Sequence, residues 1–125
     1  MAKILVIDDD RAITRILQVV LGSGGHEVFV AQDGAHGLIA AHEIHPDLIL
    51  LDEMMPLLDG SSTLRALKAS PETQPIPVVM VTVQNGNGYT RALYDLGVEL
   101  HVVKPFDPEE ILEICNRLVP SECSS

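Results

Sequence analysis

The chain has 125 residues, 46% of them apolar, and a formal net charge of −10. That is one domain's length with enough apolar material for a core, which excludes intrinsic disorder. The acidity argues against nucleic acid and anionic membrane surfaces, whose phosphates need Lys and Arg, and favours a cation or a basic patch on a partner.

The first apolar run, Ile4–Ile7, predicts a strand that ends in Asp8, Asp9 and Asp10. Ile13, Ile16, Leu17, Val20 and Leu21 then trace one face of a helix, stopped by Gly22, Gly24 and Gly25. Val28–Val30 predicts a second, more polar strand, and Asp33-Gly34 turns the chain into a helix begun by Ala35, Leu38 and Ile39. Leu48–Leu51 predicts the third strand, which runs straight into Asp52. After the Asp59-Gly60 turn a short helix carries Leu64 and Leu67 until Pro71, Pro75 and Pro77 break it. Val78–Val81 predicts the fourth strand, ending at Thr82. A glycine-rich loop, Gln84 to Gly88, leads to a helix with Tyr89, Ala92, Leu93 and Leu96 on its stripe, ended by Gly97. His101–Val103 predicts the fifth strand, with Lys104 directly after it. Asp107 as cap, Pro108 at the first position and Glu110 as the reciprocal acid predict the last helix. Ile111, Ile114, Cys115 and Leu118 form its buried face, Pro120 ends it, and residues 120–125 read as a polar tail or the start of a linker.

Alternating strands and helices predict an α/β fold: a doubly wound, five-stranded parallel sheet with helices on both faces. Continuous apolar strands agree, because a strand buried on both faces has no polar side. The polar second strand belongs at an edge, which suits the flavodoxin-like order 2-1-3-4-5. No signal-peptide pattern opens the chain, and no apolar run approaches the ~18 residues of a membrane span. Cys115 and Cys123 have no paired spacing, which fits a reducing compartment. The expectation is a soluble, cytoplasmic, single-domain protein.

In such a sheet, ligands bind beyond the carboxyl ends of the strands where the order reverses. The first and third strands are neighbours there, ~4.8 Å apart, so Asp8, Asp9 and Asp52 must crowd together. Two carboxylates ~4 Å apart repel by about 4 kcal/mol at an effective dielectric near 20. A divalent cation with oxygen ligands, Mg²⁺ first and Mn²⁺ as the alternative, would offset that repulsion. Thr82 and Lys104 end neighbouring strands at the same rim, a hydroxyl donor and a point charge that suit a phosphoryl group. A carboxylate beside such a cation can act as a nucleophile toward phosphorus and form an aspartyl-phosphate.

The segments "KILVIDDD", "PDLILLDEMMPLLDG", "PVVMVT" and "VVKPF" together resemble the receiver domain of two-component response regulators, from Lys3 to about Leu118. The resemblance implies a phosphoacceptor signalling module, regulatory rather than enzymatic, over residues 1–119. It implies Asp52 as the phosphorylated residue. It implies Mg²⁺ held by Asp9, Asp52, the backbone carbonyl of Met54 and, through water, Asp8. Thr82 corresponds to the switch hydroxyl, Lys104 to the phosphate-pairing lysine, and Lys104–Pro105 to a cis peptide bond. His101 stands in place of the usual aromatic switch residue, and its signal could then depend on pH. Val83 stands where a small residue is usual. Met54 and Gln84 hold the positions that tune loss of the phosphoryl group. The implied partners are a sensor histidine kinase or a phosphotransfer protein, and an output target the sequence does not identify.

Other readings compete. "DDDRA" approaches the signature of haloacid-dehalogenase-like phosphatases with Asp8 as nucleophile, but Ala12 replaces the expected Thr or Val and no cap domain fits. A flavodoxin-like electron carrier would need aromatics, and these are 3% of the chain with no Trp. An interaction module that never takes a phosphoryl group is the remaining alternative. Asp10 reads as a helix cap or a solvated acid. His42-x-x-His45 reads as solvated helix and loop, since it lacks a third ligand.

Overall fold

Residues 2–53, 55, 58–83 and 86–119 are described by the computed structural model. The elements alternate as β1 (Lys3–Ile7), α1 (Arg11–Ser23), β2 (Glu27–Ala31), α2 (Gly34–Ile44), β3 (Leu48–Asp52), α3 (Gly60–Ala69), β4 (Val78–Thr82), α4 (Asn87–Asp95), β5 (Leu100–Val103) and α5 (Pro108–Leu118). The five strands form one parallel sheet in the order β2-β1-β3-β4-β5. Each expected strand is present, most of them a residue longer at one end. Among the described residues no helix is long and apolar enough to cross a membrane.

Alternate residues of the central strands feed two separate cores. Leu5, Ile7, Ile49, Leu51, Val78 and Met80 face Leu64, Leu67 and Leu93 from α3 and α4. Ile4, Val6, Leu48, Leu50, Val79 and Val81 face Leu17, Leu21, Ile111 and Cys115 from α1 and α5. A strand apolar at every position is what burial on both faces requires. Each fully buried aliphatic side chain contributes roughly 1.5–3 kcal/mol. The edge strands are only half-buried, β2 as expected from its polarity and β5 as well.

Side-chain capping fixes four of the helix starts. Asp10, Asp33, Asp59 and Asp107 accept backbone N–H groups of the first turns of α1, α2, α3 and α5. Asp10 is thus a cap, as expected. For α5 the cap donor is the Glu109 N–H, and Glu110 makes no reciprocal side-chain bond among the described residues.

Two helix faces differ from the expected ones. On α1 the buried stripe is Thr14, Leu17 and Leu21, while Ile16 is 45% exposed. The stripe passes one residue to the side of Ile16, which is left on the flank toward Phe106. On α2 the buried residues are Gly34, Gly37 and Ala41; Ala35 and Ile39 face solvent. The reason is close approach: a Cβ on Gly37 would stand 2.5 Å from the Ile7 side chain, so the helix rests on β1 through its smallest residues. Three turns among the described residues use left-handed backbone: Gly25 follows α1 at φ 93°, Gly97 ends α4 at φ 102°, and His45 ends α2 at φ 53°. His42 pairs with Glu72 at 3.1 Å, so the two histidines are not brought to one ligand.

Candidate functional site

The register brings the strand ends to one edge. Ile7 lies opposite Leu51, Asp52 opposite Val81, and Thr82 opposite Val103. Asp8 therefore emerges beside Asp52, and Lys104 comes directly after β5. Asp8 is 3% exposed and Asp52 4%, whereas Asp9 is exposed. The three carboxyl groups each offer an oxygen, and these oxygens lie within 4.8 Å of one another. Together with Asp10, Val83 and Lys104 they line a cleft of about 190 Å³.

Lys104 spans the two buried acids. Its Nζ donates to Asp52 Oδ1 at 3.1 Å and to Asp8 Oδ2 at 3.4 Å. One ammonium does not balance two desolvated carboxylates. Burial first, and then the neighbouring Asp8 charge, push the Asp52 carboxyl up to about 6. Burial also raises Asp8, against the opposing Asp10 N–H and Lys104. Burial works to lower the Lys104 ammonium, but the Asp52 hydrogen bond and the charges of both acids outweigh it, and its pKa is raised. An all-oxygen set with excess negative charge suits a hard divalent cation such as Mg²⁺.

The two buried acids have different freedom. Asp8 Oδ1 accepts the Asp10 N–H at 2.9 Å and Oδ2 faces Lys104. Both oxygens of Asp8 are thus engaged, which disfavours it as the nucleophile of a phosphatase. Asp52 meets Lys104 through Oδ1, and no hydrogen bond is made by its Oδ2 among the described residues.

Thr82 ends β4 at the same edge but is fully buried and stands behind the cleft rather than lining it. Its carbonyl accepts the Lys104 N–H at 2.8 Å, which links β4 to the lysine. The Lys104–Pro105 bond is cis, as expected. His101 lies half-buried in β5, its ring edge-on to Tyr89 with centroids 5.9 Å apart, and its backbone N–H donates to the Tyr94 hydroxyl at 3.2 Å. Val83 is 62% exposed on the cleft wall. Met54 and Gln84 lie outside the described residues.

Two residues near Asp52 escaped the sequence reading. Glu53 is 7% exposed and accepts both the N–H and the hydroxyl of Ser61, each at 2.6 Å. Tyr89, read as a packing residue, buries its hydroxyl within reach of Thr82 and Glu53. A Glu directly after the strand-terminal Asp was the available signal for the first; the second had none in the local pattern.

Comparison with known proteins agrees with this geometry. Residues 4–116 match the family model of the response regulator receiver domain. The chain is 38% identical over 112 residues to the DNA-binding dual master transcriptional regulator RpaA of Synechocystis, covering 90% of this chain and 46% of that protein. It spans about half the length of the first curated relatives it matches. Its fold matches the chemotaxis protein CheY4 of Vibrio cholerae with a TM-score of 0.89 at 29% identity, covering 95% and 99% of the two chains. It also matches the Mn²⁺-bound form of response regulator Rcp1, with a TM-score of 0.75 at 28% identity, covering 91% and 88%. Strand order, acid cluster and sequence kinship converge: the chain belongs to the response regulator receiver domains, regulatory modules of two-component signalling.

Proposed function

We propose that Asp52 accepts a phosphoryl group from a phosphohistidine on a sensor kinase or phosphotransfer protein, and that the modification switches a partner-binding face. The observation that carries this reading is the cluster of Asp8, Asp9 and Asp52 with Lys104 Nζ 3.1 Å from Asp52. Asp9, Asp52, the Met54 carbonyl and, through water, Asp8 are the groups to hold Mg²⁺ or Mn²⁺. Bound there, the ion neutralises charge on the phosphoryl oxygens and on the acids around them.

The chain's own residues supply the rest. An Asp52 carboxylate oxygen forms the new O–P bond while the donor's P–N bond breaks, and the departing imidazole keeps that electron pair and takes a proton. Lys104 already stands on Asp52 and pairs with the added negative charge. Thr82 is buried behind the cleft, so donating to a phosphoryl oxygen requires it to move forward. That displacement is a two-state switch biased by the modification. His101, in contact with Tyr89, responds on β5, and Gln84 governs the lifetime of the adduct.

The donor protein has a surface beside the cleft. Ile13, Ile16, Val83, Pro105 and Phe106 line an apolar groove of about 510 Å³ that shares Val83 and Lys104 with the cleft. Its continuity with the acids makes it the place for the partner bearing the histidine. The exposure of Ile16 and Val83 then has a use. We place the receiver unit at residues 1–119, acting as a regulator that turns over no separate substrate, in the cytoplasm. The net charge of −10 supports no direct nucleic-acid contact by this unit; its output target is a separate partner or domain.

Incubation with acetyl phosphate and Mg²⁺, then intact mass measurement, tests the reading. One alkali-labile phosphoryl adduct is expected, absent without Mg²⁺ and absent in Asp52→Asn. An adduct that persists in Asp52→Asn sinks it.

A further inference from the structure

Behind Asp52 lies a polar group that the phosphoryl chemistry above does not use. Tyr89 lies in the first turn of α4, its ring packed against the core beneath α3 and α4. Its hydroxyl is buried within reach of Thr82 and Glu53, yet no hydrogen bond of full geometry satisfies it among the described residues. Buried hydroxyls are rarely left so, because the lost water contacts are not replaced. A second arrangement of the same neighbours that satisfies it is therefore worth seeking.

Among the described residues, Thr82, Glu53 and Asp52 are the polar groups that act on that hydroxyl. Burial above all pushes the Tyr89 hydroxyl up to about 12, with Thr82 opposing and the Glu53 and Asp52 charges adding to it. The hydroxyl is thus neutral, with one proton to donate and lone pairs to accept. Glu53 is already held by the Ser61 N–H and hydroxyl at 2.6 Å each. Thr82 is the neighbour that the phosphoryl reading sets in motion.

We propose that Tyr89 is a positioning residue for Thr82: once Thr82 turns its O–H toward a phosphoryl group on Asp52, the Tyr89 O–H donates to the Thr82 oxygen. The inference rests on the assignment of Asp52 as phosphoacceptor. The two hydroxyls then form a chain from α4 to the phosphoryl oxygen, in which each bond polarises the next. Only hydrogen bonds change; no covalent bond forms and no proton is transferred. The edge contact between Tyr89 and His101, at 5.9 Å, connects this chain to β5. In this account α4 senses the modification through its first turn.

The test is the adduct's lifetime. Wild type, Tyr89→Phe, Thr82→Ala and the double variant are loaded with acetyl phosphate and Mg²⁺, freed of acetyl phosphate, and monitored by intact mass. Tyr89→Phe keeps the ring and removes only the hydroxyl. Its adduct should decay about fivefold faster, the worth of one net hydrogen bond. Thr82→Ala should decay faster still, and the double variant should match Thr82→Ala. An unchanged lifetime in Tyr89→Phe, or the same fold-change in the Thr82→Ala background, overturns the inference. A wild type that takes no adduct at Asp52 overturns the underlying reading instead. A second measurement covers a Tyr89→Phe chain that does not fold. The chain has two tyrosines, so Tyr94→Phe leaves Tyr89 alone, and loading must shift its near-ultraviolet absorption. No shift rejects the proposed change of partner.

Discussion

Carboxylates gather at two places around the end of β3, and the fold treats them oppositely. At the entry to α3, Glu53 accepts two donors from Ser61, and Asp59 accepts the Ser62 N–H at 2.8 Å. That backbone hydrogen bond holds the Asp59 carboxyl below its ordinary value. One residue away from Glu53, Asp52 is buried with a second acid, and the two share a single lysine. Its carboxyl is pushed the other way, up to about 6. The difference separates acids that hold the fold from acids kept under strain for a ligand. Hydrogen-bonding to the charged form lowers a pKa, whereas burial among like charges raises it.

The largest expected effect comes from breaking the strained group. Lys104→Met leaves Asp8 and Asp52 buried without their cation, and removing one partner of a buried pair costs about 3–5 kcal/mol. Urea unfolding at pH 7 in EDTA should read that loss, and it should shrink toward pH 5 as Asp52 takes a proton. A loss that is the same at both pH values would place the lysine's contribution in packing alone.

Asp52→Asn should act in the opposite direction. The folded-state pKa of Asp52 is raised from 3.8 to about 6, so the folded chain binds the proton more tightly than the unfolded one. Cation-free stability should therefore fall as pH rises from about 4 through 6 and level off above that. At pH 7 Asp52→Asn should gain roughly 2 kcal/mol in EDTA and lose that pH dependence. A destabilised Asn variant would show that the carboxylate is not strained.

Glu53→Gln gives the contrast, since it should be destabilising where Asp52→Asn stabilises. Charged acceptors contribute roughly 1.5–3 kcal/mol per hydrogen bond, and a neutral amide retains one acceptor, so a loss of about 2 kcal/mol is expected. Ser61→Ala in the Glu53→Gln background should then add little. The smallest effect is that of the cation: Mg²⁺ at ten times its Kd should stabilise wild type by about 1.4 kcal/mol. Glu53→Gln should respond like wild type, and Asp9→Asn should not respond. Equal responses in all three would place the ion elsewhere.

Much of this contrast was legible in the sequence, because it depends on strand ends. Apolar runs such as Leu48–Leu51 mark strands buried on both faces, and the residue after each run must emerge at the sheet's edge. Asp8, Asp52, Thr82 and Lys104 could be placed that way from their positions alone. Helix faces were harder. Ile16 and Ile39 match a helical stripe yet face solvent, since the distance between helix and sheet decides which residues are buried. On α2 that distance is set by Gly37 against Ile7, and a glycine carries no hydropathy signal. Glu53 and Tyr89 were missed for a related reason. Ser61 on α3, which bonds Glu53, and Thr82 on β4, which neighbours Tyr89, are brought to them by tertiary packing rather than by spacing.

The central claim is that the strained carboxylate, and no other, receives phosphorus. Borohydride reduction converts an acyl phosphate on aspartate to homoserine, which peptide mapping can locate. After loading with acetyl phosphate and Mg²⁺, homoserine should appear at position 52 and nowhere else. Homoserine at position 8 or 9, with Asp52 untouched, would contradict the account.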